Sequence, residues 1–138
     1  MDSADPRPLI TSTFAIEGDT LDPEEVTRLI GVEPTETGLI GMKRSAGRPD
    51  APTSYWWLKI RKQPDYDIEP GIARILDILW PQREKVVRFL RGSDFAAIFT
   101  TGVSIYQDRP IYSLGPDTLR RLSYFDVRYC IDIFDYTE

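Results

Sequence analysis

Residues 11–31 read TSTFAIEGDTLDPEEVTRLIG, and the change of period inside that stretch decides the fold class. From Thr11 to Glu17, Phe14 and Ile16 alternate with Thr13, Ala15 and Glu17, the period of two that marks a strand with one buried face. Gly18-Asp19 turns the chain. Asp22-Pro23-Glu24-Glu25 then opens a helix: Asp22 is a good N-cap, proline suits the first helical position, and Glu25 stands where a capping box closes. Val26, Leu29 and Ile30 make the apolar stripe, and Gly31 falls where a residue of positive φ ends a helix. A helix this short persists only by packing on the sheet.

The same contrast of periods organises the rest of the chain. Residues 32–53 hold three prolines, three glycines and no sustained period, which predicts a long loop of the kind that often carries function. Ser54–Lys62 predicts a strand with Trp56, Leu58 and Ile60 on one face and Tyr55, Trp57, Lys59 and Arg61 on the other. Ile68, Ile72, Ile75, Leu76 and Leu79 repeat at helical spacing, and Pro81 kinks or ends that helix after Trp80. A second helical piece, Gln82–Leu90, runs to Gly92. Phe95–Tyr106 predicts a long strand, Pro110–Leu114 a short one, Gly115-Pro116-Asp117 a helix opening with Leu119, Leu122 and Phe125 as its face, and Val127–Tyr136 a last strand. Leu21-x-Pro23-x-x-Val26-x-Arg28-Leu29 is echoed 93 residues later by Leu114-x-Pro116-x-x-Leu119-x-Arg121-Leu122, compatible with two β-α-β halves or with the common look of helix openings. Together these readings predict a single α+β domain over residues 1–138. It has about five strands in one largely antiparallel sheet, helices packed on one face, and a flexible N-terminal arm over residues 1–10.

Composition narrows the chemistry. The chain has 138 residues, no histidine and one cysteine, Cys130, so triads that need imidazole, HExxH zinc sites and cysteine-built metal sites are excluded. A lone cysteine also suggests a reducing, cytoplasmic setting. No apolar run reaches the roughly 18–20 residues of a membrane span, and Met1–Pro6 lacks the order of a signal peptide. Seventeen basic against twenty-two acidic residues, a net charge of −5, argue against nucleic acid and anionic membrane as partners. The imbalance is uneven: residues 32–63 hold six basic and three acidic groups.

Few residues suggest chemistry. The carboxylate pairs Asp65/Asp67 and Asp132/Asp135 read as caps, solvated groups or ion-pair partners as readily as acid–base equipment. Gly38-Leu39-Ile40-Gly41-Met42-Lys43 lacks the spacing of a phosphate loop, and no cofactor or metal motif is present. Cys130, inside a strand, reads as a small hydrophobe. Lys43, Arg44 and Arg48 form a candidate anion site in the loop. The strongest lead is the second face of the sheet, where Tyr55, Trp57, Lys59 and Arg61 would be joined by Tyr106, Phe134 and Tyr136. These are residue types that dominate binding hot spots, provided the loop or the N-terminal arm does not cover them.

The order of motifs resembles a bacterial family known as domain of unknown function 4279. The resemblance rests on the Phe14/Ile16 strand, on Leu21-Asp22-Pro23-Glu24-Glu25-Val26-Thr27-Arg28-Leu29-Ile30-Gly31-Val32-Glu33-Pro34-Thr35, and on Gly38. It continues through Ser54–Leu58, Trp80-Pro81, the Leu119…Leu122 helix, Ile131-Asp132-Ile133 and Tyr136. It spans about residues 12–136. The resemblance implies a small cytosolic α+β domain without an established catalytic activity, and some proteins of this kind resemble immunity proteins that neutralise a toxin by binding it. The expectation is a non-enzymatic module that binds a protein partner, a toxin among the candidates. The alternatives are an anion- or small-molecule-binding protein or hydrolase built on the 32–53 loop, and a homodimer formed through the aromatic face.

Overall fold

A computed structural model describes residues 5–137. The elements follow in the order β1 (Leu9–Gly18), α1 (Pro23–Ile30), β2 (Glu36–Gly38), β3 (Ser54–Pro64), α2 (Glu69–Leu79), a 3₁₀ turn (Trp80–Gln82), α3 (Arg83–Arg91), β4 (Ala96–Ile105), α4 (Pro116–Phe125) and β5 (Arg128–Asp135). The strands form one five-stranded sheet in the order β2-β3-β1-β4-β5. All neighbours are antiparallel except β4 and β5, which are parallel. Parallel neighbours need a crossover, and α4 supplies it.

Local chemistry explains the elements. Asp22 accepts a hydrogen bond from the Glu24 backbone N–H at 3.1 Å, Pro23 occupies the first turn, and Gly31 closes α1 at φ 72°. Pro81 does not end the second helix outright; it converts one turn to 3₁₀ geometry between α2 and α3.

The helices cover one face of the sheet. On it Phe14 of β1 sits between Leu58 of β3 and Phe99 of β4, and Ile16 lies beside Trp56. These side chains join Val26, Ile30, Ile72, Ile75, Leu76, Leu79, Val86, Leu122 and Phe125 in one buried cluster. The Trp56 indole N–H is satisfied inside it by the Thr27 hydroxyl at 3.0 Å.

Several expectations are corrected. The fifth strand is Glu36–Gly38, inside the expected loop, and not Pro110–Leu114, which crosses to α4 without pairing. β1 starts at Leu9, and the backbone just before it is tied down: Asp108 N–H donates to the Pro6 carbonyl at 3.1 Å and Asp65 N–H to that of Pro8 at 3.0 Å. Of the arm expected over 1–10, residues 1–4 lie outside the described residues, and 5–10 are held by these bonds and by the sheet. Leu29 and Leu119, expected in apolar stripes, are exposed, and so are Ile131 and Ile133, because the helices do not reach the outer strand. The echo at an offset of 93 extends to proline at the first position of α1 and α4. It stops at strand pairing, antiparallel for β1/β3 and parallel for β4/β5.

Candidate functional site

The face of the sheet turned away from the helices carries the candidate residues, and its two ends differ. At the β2–β3 end the chain covers itself. Tyr55 is 2% exposed. Its ring lies against Trp57 at a 35° tilt with centroids 4.3 Å apart, its hydroxyl donates to Glu36 Oε2 at 2.6 Å, and the Arg44 guanidinium lies 5.9 Å from its centroid. Gly38 lets β2 close onto that ring, since a Cβ there would stand 2.5 Å from Tyr55 Cε1. Behind it, Gly41 N–H donates to the Ala51 carbonyl and Ala51 N–H to that of Met42, so the loop folds into a small hairpin. Tyr55 is therefore core and not a contact residue. Trp57 is half-buried, and its indole N–H donates to Glu17 Oε1 at 3.1 Å.

The loop cations are engaged in the same closure. Lys43 pairs with Asp50 at 3.5 Å, Arg44 Nε donates to the Pro49 carbonyl at 2.9 Å, and Arg48 pairs with Glu36 at 3.2 Å. Each of the three residues proposed for an anion thus has its own partner within the chain. Partial burial pushes the Glu36 carboxyl upward, but the Tyr55 hydroxyl and the Arg48 guanidinium outweigh it and hold the group below its ordinary value of 4.5. Burial, reinforced by the bond to Glu36, raises the Tyr55 phenol. A depressed carboxyl stabilises the fold fully above its unfolded value and loses that contribution as pH falls through the folded one. Between pH 6 and pH 3, roughly the window set by those values, calorimetry should show a steeper fall in Tm for the native chain than for Glu36→Gln. Parallel profiles for the two would refute the linkage.

The other end is open. Thr11 and Thr13 of β1 with Thr100, Gly102 and Ser104 of β4 floor a trough of about 290 Å³. Gly102 pairs with Thr11 and Thr100 with Thr13, so the middle of the floor is glycine and hydroxyls. Lys59 and Lys62 form one rim; Asp132, Phe134 and Tyr136 form the other. Lys62 was missed in the sequence because strict alternation gives this place to Arg61. A bulge shifts the β1–β3 register between Ile10 and Ser12, setting Arg61 and Lys62 together opposite Thr11. Arg61 is exposed but outside the trough lining. Tyr106 joins through Tyr136, the two rings stacking at 5.0 Å and 12°. The trough therefore brings together Lys59, Phe134 and Tyr136, adds Lys62 and Asp132, and excludes Tyr55, Trp57 and the loop cations.

On the second rim Phe134 and Tyr136 are 44% and 55% exposed, and the two rims carry opposite charge across the floor. Such a surface can hold an extended segment by aromatic contact and by ion pairs at both sides. Among the described residues no three His, Cys, Asp or Glu side chains gather to hold a metal, and no helix is long and apolar enough to cross a membrane. A family model described as a domain of unknown function (DUF4279) matches residues 8–136. No curated protein and no solved structure matches the chain.

Proposed function

Because the chain belongs to the DUF4279 family, whose description assigns no reaction, its function has to be read from its own surface, and we propose that it is a protein-binding module docking its partner on the open face of the sheet. The observation that carries this reading is the trough itself: a hydroxyl floor between a lysine rim and an acidic, aromatic rim, with no helix above it. Phe134, Tyr136 and Tyr106 supply large area with few rotamers to freeze, the property that makes aromatics binding anchors. Lys59 and Lys62 facing Asp132 favour a partner segment that carries both signs of charge. A toxin neutralised by capture in a cytoplasmic setting is the form of this reading that the family resemblance brings.

The test is capture of a partner from lysate of the source cells, identified by mass spectrometry. Lys59→Glu combined with Phe134→Ala should weaken capture by about 100-fold or more, the scale of a lost hot spot, with Tm within a few degrees of the native value. Leu119→Ala, on the far side of the molecule, should leave capture unchanged. Equal retention by the trough variant and the native chain would defeat the reading.

A further inference from the structure

β5 ends the sheet, and its character is unusual for a free edge. Its register with β4 is constant from Arg128 to Asp135, so no bulge turns the edge away, and neither proline nor lysine interrupts it. Bulges, prolines and lysines are devices that blunt a free edge, and of the charged side chains that do the same β5 carries Arg128, Asp132 and Asp135. The helices stop short of it: Ile131 is 43% exposed and Ile133 51%, on the same side of the sheet as the covered core. Phe134 and Asp132 lie on the other side, with Arg128 and Cys130.

From this pattern we propose that β5 pairs antiparallel with β5 of a second copy, about a two-fold axis through Ile131, to make a continuous ten-stranded sheet. Register arithmetic favours that axis, since centring on Ile131 overlaps residues 128–134 whereas centring on Ile133 would pair only residues 131–135 before running past the end of β5. When the axis stands perpendicular to the sheet, facing residues share a side, so the strand can centre only on one of its own residues. Centring on Asp132 would set two carboxylates against each other, which is destabilising. Centring on Cys130 would carry the overlap into Asp126, the left-handed residue that ends α4. Centring on Ile131 keeps the overlap within extended chain. Ile131 then meets its own copy and Tyr129 meets Ile133 on both flanks, covering the two exposed isoleucines with apolar surface. On the opposite side Arg128 lies diagonal to Asp132 of the second copy, twice, which sets two opposite-charge pairs against the single diagonal approach of the two Asp132 carboxylates. Backbone groups at the outer edge of β5 gain partners at the same time.

This inference is independent of what the trough binds. It adds that the axis leaves both troughs on one side of the joined sheet, with the Asp132 and Phe134 rims meeting at the seam.

Sedimentation equilibrium of the native chain at micromolar to submillimolar concentration should show a dimer. Ile131→Glu and Ile131→Lys should each weaken association by about 100-fold or more, since like charges would face across the axis, while the monomeric variants keep the native circular dichroism spectrum because Ile131 is 43% exposed in the single chain. An equimolar mixture of the two variants should recover the dimer, with glutamate facing lysine. A monomeric native chain over this range would overturn the proposal and leave the edge to a foreign strand. A dimer that persists in both variants would overturn the β5 interface, and variants that stay apart when mixed would overturn the axis at Ile131.

Discussion

Phe14→Ala is expected to cost about 3–5 kcal/mol, the range for removing a fully buried aromatic side chain. The sheet order makes β1 its central strand, and Phe14 is 0% exposed between Leu58 and Phe99. Its ring meets Phe99 at 4.7 Å and Trp56 edge-on at 6.2 Å, and Phe99 in turn meets Phe125 of α4 at 5.7 Å. Truncation removes the ring that joins both flanking strands to the helical layer. The surrounding rings belong to two different strands and a helix, so they cannot collapse together into the space. Against the roughly 5–15 kcal/mol that holds a domain of this size, that loss should lower Tm by roughly 10–20 °C. Calorimetry would show it. A change of only a few degrees would mean that the core centres elsewhere.

Tyr55→Ala carries the second large effect, at about 2–4 kcal/mol. The side chain faces away from the helices, yet the Gly38 backbone, the folded loop and Arg44 close over it. Alanine would remove the ring that lies against Trp57 and the hydroxyl that shares Glu36 with Arg48. Tyr55→Phe keeps the ring and should lose only about 1 kcal/mol, a single hydrogen bond at a partly wet site. Lys59→Ala and Arg61→Ala, exposed on the same strand face, should stay within about 0.5 kcal/mol of native. The contrast divides the face into a sealed end and an open end. If Tyr55→Ala were as mild as Lys59→Ala, the sealed end would be wrongly assigned.

The aromatic face shows how far a site can be read from sequence. Alternation in Ser54–Lys62 correctly separates Trp56 and Leu58 from Tyr55, Trp57 and Lys59, because period two is a property of each strand alone. Which face is then covered depends on what lies above it. Tyr55 is sealed by residues 36–51, whose pairing with β3 was hidden in a stretch without period. Lys62 enters the trough only through a bulge, an irregularity that alternation cannot signal. Asp132 reads in the sequence as one carboxylate of the Asp132/Asp135 pair; its position across the floor from Lys59 comes from strands far apart in the chain.

By itself the sequence determined the fold class and most of the elements: the β1 alternation, the Asp22 cap with Pro23 and Gly31 around α1, and the break at Pro81. Those signals act within a few residues, where backbone sterics and hydrogen-bond capping operate. Only the tertiary structure decided that β5 runs parallel at an uncovered edge, that the fifth strand lies at 36–38, and that the loop closes over Tyr55 and spares the trough. Each of these is a choice of long-range partner, set by how much apolar surface the whole chain can bury at once, and no local period records it.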